Sequence, residues 1–188
     1  GGPVMMLGID GLKVALVTIH APISAVPSLL TIDKIMDVVR VVNSSLKNDF
    51  GVPNPRIALL GLNPHAGENG AIGREEMEII NPAAQLLREG GIDCSDALPA
   101  DSAFSPHSRA HYDCFIAMYH DQGLIPIKAL DFWGGVNVTL GLPIVRTSPD
   151  HGTGFDIAGK NIAKPDSLIA AIKMAADIAD NRAKNNGK

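Results

Sequence analysis

Three short apolar runs constrain this chain more than anything else in it. LKVALVTI (12–19), RIALLGL (56–62) and DCFIAMY (113–119) are apolar along nearly their whole length. A strand with one wet face alternates in character, whereas a strand covered on both faces reads as a continuous apolar run. Between these runs lie stretches with a different period. TIDKIMDVVRVVNSSLKNDF (31–50) places Ile32, Ile35, Met36, Val39, Val42 and Leu46 at helical spacing, with Thr31 positioned to cap the first turn. REEMEIINPAAQLLREGG (74–91) predicts a helix broken or restarted at Pro82 and stopped at Gly90-Gly91. GVNVTLGLPIVRT (135–147) supplies one or two further strands, and PDSLIAAIKMAADIADNRAK (165–184) a closing amphipathic helix. Strands alternating with helices predict α/β layering around a mainly parallel sheet. Ligands of such sheets gather beyond the carboxyl ends of the strands.

Bulk composition narrows the function. Of 188 residues 46% are hydrophobic, which is ample for a core and excludes a disordered chain. A net charge of −4 with no basic cluster argues against nucleic acid or an anionic membrane surface as partner. No apolar stretch approaches the roughly 20 residues of a membrane span, and the first residues lack a signal-peptide pattern. Cys94 and Cys114 are too few for a disulfide framework or a cysteine zinc site, so a reducing cytoplasm is the expected compartment.

Three of the six histidines occupy the same kind of place. His20 follows VALVTI, His65 comes three residues after RIALLGL, and His120 follows CFIAMY directly. If these strands neighbour one another in parallel, the three imidazoles converge on one edge and suit a divalent cation able to polarise a substrate oxygen. Taken singly, each is equally well a surface or capping residue. His107 and His111, in the polar stretch SPHSRAHYD, read as solvated loop residues.

Longer motifs carry a resemblance. AMYHDQGLIPIKALDFWGGVNVTLGLPIVRTSPDHGTGFDIAG (117–159) and GLNPHAGENGAIGREE (61–76) resemble the 4-hydroxythreonine-4-phosphate dehydrogenases of pyridoxal phosphate biosynthesis. PVMMLGIDGLKVALVTIHAPI (3–23) and LPADSAF (98–104) are similar to the same family, so the likeness runs nearly end to end. DHGTGFDIAGKNIAKP (150–165) also resembles the nucleotide-binding stretch of the isopropylmalate and isocitrate dehydrogenases. The resemblance implies an isocitrate/isopropylmalate dehydrogenase-like α/β/α fold. It implies oxidation of 4-phosphohydroxy-L-threonine by NAD or NADP, then decarboxylation to an aminoketone phosphate, 3-amino-2-oxopropyl phosphate. By the same resemblance His20, His65 and His120 are metal ligands for zinc, cobalt, nickel or magnesium, supplied by both subunits of a homodimer. Lys128, Asn137 and Arg146 become substrate contacts, Asp121 and Lys128 catalytic groups, and His151, Gly152, Thr153 and Asp156 cofactor contacts. Asp113 and Asp101 are weaker candidates, equally suited to capping loops.

The likeness also marks a departure. Members of the family are longer, and the part without a counterpart lies upstream. The resemblance therefore implies a central metal-binding and dimerisation domain over 1–128, followed at 129–188 by the C-terminal portion of a cofactor domain. A chain cut in this way is expected to fold and bind metal without turning over substrate, its closing portion repacked or covered by a neighbour. Two other readings stay open: a related dehydrogenase acting on another phosphorylated hydroxy acid or a dihydrodiol, and a non-catalytic metal-binding dimerisation module.

Overall fold

A computed structural model describes residues 2–186. The chain runs through β1 (Val4–Ile9), β2 (Leu12–Leu16), α1 (Val26–Leu29), α2 (Ile32–Asn48), β3 (Ile57–Leu60) and α3 (Asn81–Glu89). It continues with β4 (Cys94–Leu98), α4 (Ala100–Ala103), α5 (Pro106–His111), β5 (Cys114–Ala117) and α6 (His120–Leu130). β6 (Val136–Leu140), β7 (Thr147–Pro149) and α7 (Asp166–Asn186) complete it.

The strands form one sheet in the order β4-β3-β5-β2-β1-β6-β7. β4, β3, β5 and β2 pair in parallel, while β1, β6 and β7 each run antiparallel to the strand before them in that order. β6 thereby points the same way as β2, so five of the seven strands share a direction. Apolar clusters cover both faces. Met6, Ala15, Leu59 and Ile116 face α2, α3 and α7, whereas Leu7, Val14, Leu60 and Phe115 face Leu124 and Ile127 of α6. This is the α/β/α layering expected, and it explains why β2, β3 and β5 read as unbroken apolar runs.

The predicted helices hold. Thr31 Oγ1 accepts from Lys34 N at 3.2 Å and opens α2. The second helix starts with a π-turn over Glu76–Ile80, and α3 resumes with Pro82 in its first turn, where a missing N–H is harmless. Other elements lack a legible pattern. β4, CSDAL, is a polar strand at the sheet edge. α6 carries Gly123 and Pro126, both poor helix formers, and is held by burial of Leu124 and Ile127. His120 thus opens a helix rather than a loop, and His107 and His111, though exposed, lie on α5.

Residues 129–188 enter the same sheet. β6 pairs with β1 from Val4↔Leu140 to Gly8↔Val136, so Val136, Val138 and Leu140 are buried rather than bare. α7 buries Ala171 and Ile178 but leaves Leu168, Ile169 and Ile172 exposed. Asp49, 4% exposed at the end of α2, accepts from Arg182 Nε at 2.7 Å and Nη2 at 3.0 Å, locking α7 to α2. Among the described residues no helix is long and apolar enough to cross a membrane.

Gly123 lies where α6 crosses the sheet. A Cβ there would come within 2.7 Å of Leu16 Cδ2 and 3.0 Å of Val14 Cγ1. Gly123→Ala is therefore expected to destabilise the protein by about 1–3 kcal/mol, despite alanine's higher helix propensity. Urea unfolding checks this, and a stabilised variant would show that α6 does not pack this closely.

Candidate functional site

The parallel pairing of β2 with β5 brings two of the histidines together. Main-chain bonds from Val17 N to Ala117 O at 2.9 Å and Thr18 N to Met118 O at 3.2 Å carry that ladder past Leu16. Thr18 Oγ1 adds a bond to Met118 O at 2.7 Å, and the two chains leave the sheet side by side. The His20 and His120 rings then lie with centroids 5.6 Å apart. His120 Nδ1 stands 2.7 Å from Asp121 Oδ1. An ionised carboxylate can only accept, so Nδ1 is the donor, and in the neutral ring Nε2 then keeps its lone pair for a ligand. His20, Tyr119, His120 and Asp121 line a shallow cavity of about 200 Å³.

β3 is the other parallel neighbour of β5, so the strand order expected from the three histidines is found. His65, however, opens on the adjoining cavity of about 340 Å³, with Asn63, Asp101, Tyr119 and Gln122. Among the described residues no three histidine, cysteine, aspartate or glutamate side chains gather closely enough to hold a metal ion. His20 and His120 come together as a pair. His65 shares their sheet edge without joining them within one chain, its loop opening on the neighbouring cavity instead.

That loop is conformationally unusual. His65, Ala66, Gly67, Glu68 and Asn69 all have positive φ, from 46° to 78°, giving a turn of left-handed helix. For residues bearing a Cβ this conformation costs on the order of 1–2 kcal/mol each. The turn sits on a carboxylate. Glu76, 1% exposed, accepts from Asn63 N at 2.8 Å and from Asn63 Nδ2 at 3.0 Å. A Cβ on Gly67 would lie 2.5 Å from Glu76 Oε2, so glycine is required where the turn crosses that carboxylate. Asn63 Nδ2 also donates to Glu75 Oε2 at 2.7 Å, and this bond holds the Glu75 carboxyl below its ordinary value.

The remaining expected residues are strung along the α6 side of the sheet. Asn137 lies beside Leu7 in the β1–β6 register and so shares the α6 face. Its Oδ1 is buried and, among the described residues, has no hydrogen-bond partner. Arg146 Nη1 donates to Thr139 Oγ1 at 2.7 Å, two residues further along β6. Lys128 lies eight residues after His120 in α6, about 12 Å along the axis. Its ammonium donates to Asp150 O at 3.1 Å and stands 3.0 Å from Asp150 Oδ2. The second contact is an ion pair without hydrogen-bond alignment, since Oδ2 is enclosed and takes no hydrogen bond. The chain alone therefore does not bring Lys128 up to the histidine edge. His151, Gly152, Thr153 and Asp156 lie on the exposed segment after β7, Asp156 within a short 3-10 turn over Phe155–Ile157. Asp113 accepts from Arg56 N at 2.7 Å where β3 begins, a strand-joining role at the opposite edge.

A larger cavity, about 820 Å³, lies elsewhere, between the β1–β2 hairpin and α7. Its charged groups are Asp10, Lys13, Asp49, Lys173, Asp177, Asp180 and Lys184, which mix signs and converge on no common point of chemistry. Asn63, Glu76, Tyr119 and Gln122 belong to the site region yet carried no motif signal of their own. Glu76 in particular sits in REEMEII, a charged stretch whose burial depends on the π-turn.

The fold and this edge define an α/β protein that presents imidazoles beyond the carboxyl ends of three neighbouring parallel strands, where such sheets bind small ligands. Residues 1–175 match the protein-family model described as "Pyridoxal phosphate biosynthetic protein PdxA". The chain belongs to the PdxA family. It is 60% identical over 181 residues to a 4-hydroxythreonine-4-phosphate dehydrogenase of Caulobacter vibrioides, covering 96% of this chain and 54% of the relative. A solved 4-hydroxythreonine-4-phosphate dehydrogenase from Klebsiella pneumoniae superposes with a TM-score of 0.86 at 43% identity, covering 95% of this chain and 55% of that one. A terephthalate 1,2-cis-dihydrodiol dehydrogenase from Burkholderia xenovorans gives a TM-score of 0.76 at 32% identity, covering 93% and 55%. The chain thus spans about half the length of the relatives it matches.

The Asn63–Glu75 bond has a consequence for pH. A carboxyl depressed in the folded state stabilises it above the unfolded pKa, and that contribution fades as pH falls through the lower folded value. Asn63→Ala is expected to return Glu75 toward 4.5 and to remove this part of the acid-side loss of stability. Carbon-detected NMR titration of the Glu75 carboxyl measures it; an unmoved midpoint would assign the depression to main-chain donors.

Proposed function

We propose that the protein carrying this chain oxidises the secondary alcohol of 4-phosphohydroxy-L-threonine with NAD or NADP, and that the resulting β-keto acid loses carbon dioxide to give 3-amino-2-oxopropyl phosphate. The observation that carries this reading is the pairing of His20 with His120 at the ligand-binding edge, in a chain of the PdxA family. The names of the Caulobacter and Klebsiella relatives support the substrate.

In this reading His20, His65 and His120 hold a divalent cation, with zinc, cobalt or nickel favoured over magnesium by an all-imidazole set. A bound cation supplies charge stabilisation to the substrate oxygen as its proton leaves. Since His65 does not reach the other two within one chain, the set is completed by two copies, which makes the working assembly a homodimer. Asp121 is a positioning residue: its bond to Nδ1 fixes the His120 tautomer and leaves Nε2 as the ligating atom. The orphaned Oδ1 of Asn137 suits the ammonium or hydroxyl of the substrate. Arg146 offers a planar fork to the phosphate or carboxylate, and Lys128, beside Asp150, a point charge. His151, Gly152, Thr153 and Asp156 hold the nucleotide. Residues 1–128 then carry the cation and the dimer contact, and 129–188 a share of the cofactor site. Buried free thiols at Cys94 and Cys114, pushed up to about 11 and about 12 by burial, suit a reducing cytoplasm.

A second reading has a specific observation behind it. The likeness to the dihydrodiol dehydrogenase favours the same oxidation on an unphosphorylated cyclic diol. NAD reduction followed at 340 nm with each substrate separates the two, and reduction with the diol alone would overturn the phosphorylated one.

Two variants test the residue roles. His120→Ala is expected to lose at least about tenfold in cobalt affinity by calorimetric titration. Unchanged affinity and stoichiometry would remove His120 from the ligand set. Arg146→Lys is expected to raise KM for the phosphorylated substrate about tenfold or more with a smaller change in kcat, because a fork becomes a point charge. A wild-type KM would reduce Arg146 to its bond with Thr139.

A further inference from the structure

We infer that Glu76 is the positioning residue for His65: its buried carboxylate holds the left-handed turn that sets the imidazole at the sheet edge. The inference rests on the cation-binding reading for its functional meaning and on geometry for its mechanism. Five consecutive left-handed residues do not persist on their own, since each non-glycine member strains against its own carbonyl. Such a segment survives where its surroundings over-determine it.

The turn, of 3-10 type over Pro64–Gly70, ends on two further main-chain bonds. Ala71 N donates to Glu68 O and Ile72 N to Gly67 O, both at 3.2 Å, and these lie past the histidine. Side-chain restraints come from beneath. Both oxygens of Glu76 are engaged by Asn63, the residue two before His65, through its main-chain N–H and its amide. The same carboxylate fills the space a Gly67 side chain would need, two residues after His65. Gly73 closes the other side, leaving no room for a Cβ beside the Asn63 amide. Glu76 thus touches the chain before and after the imidazole.

An ionised carboxylate suits this place because it presents acceptors alone. Asn63 brings two donors, and a neutral amide at 76 would set an NH2 group against one of them. Glu76 is reachable for this work because the π-turn directs it inward together with Ile80, while Met77 and Glu78 stay exposed. The charged sequence REEME therefore contains one buried member with a defined task.

The test uses Glu76→Gln, which keeps shape and removes the charge and one acceptor. Two readouts are needed in the complete protein: cobalt affinity by titration of its visible absorption, and hydrogen exchange at the Ala71 and Ile72 amides. We expect about tenfold weaker cobalt binding, as for other residues that orient a ligand, and a comparable gain in exchange at those two amides. Exchange in β5 and the urea midpoint should change far less. Gly67→Ala attacks the same contact from the opposite side and should reproduce both effects, which keeps the test decisive if Glu76→Gln folds poorly. Wild-type exchange in the turn of either folded variant overturns the inference. Should the wild-type protein bind no cobalt, the cation reading falls, while the exchange arm still decides the role of Glu76.

Discussion

One buried side-chain amide joins the parts of the site edge. Gln122, 9% exposed in the first turn of α6, accepts from Met118 N at 2.7 Å and donates to Gly61 O at 2.7 Å. Where β5 and β3 run out of strand partners, their last main-chain groups would otherwise be buried without hydrogen bonds. An unpaired buried N–H or C=O costs about 1–3 kcal/mol, so one glutamine spanning both is a strong constraint. It binds the turn that launches His120 to the loop that launches His65. Gly123, next in sequence, lets α6 come down close enough for that amide to reach.

The two loops joined by Gln122 are built on different principles. His20 and His120 are placed by main chain: a parallel ladder prolonged past Leu16, with Thr18 sealing it and Asp121 fixing the ring. His65 is placed by side chains, through Asn63 and two glutamates that share its amide. Of these, Glu75 is partly exposed and titrates below its ordinary value, while Glu76 is enclosed. Main-chain ladders resist single substitutions; a strained turn balanced on one carboxylate does not.

Much of this was legible in the chain. Continuous apolar runs identified β2, β3 and β5 as doubly covered strands, and their shared histidine endings foretold the common edge. The periodicity of 31–50 and the cap at Thr31 gave α2 nearly to the residue. What stayed hidden has physical causes. β1 mixes two methionines and a glycine, weak strand formers, and is stabilised by neighbours on both sides. α6 contains glycine and proline and exists because Leu124 and Ile127 are buried and Gln122 is bonded at both ends. The left-handed turn was visible as an excess of glycine around His65, but four of its five members bear side chains, and no local propensity specifies that. The burial of Glu76 was illegible because it depends on one π-turn shifting the helical phase.

The sheet itself explains why Lys128 lies away from the histidines in a single chain. α6 begins at the carboxyl edge with His120 and descends antiparallel to β5, so any residue two turns further on, Lys128 included, lies near the opposite edge. β6 ascends in the direction of β2, placing Gly135 and Asp150 at the foot with Lys128 and bringing Arg146 and Thr139 back toward the top. Asn137 lies between, its oxygen unanswered. A ligand long enough to touch both a cationic end and an imidazole edge would follow β6 along its α6 face.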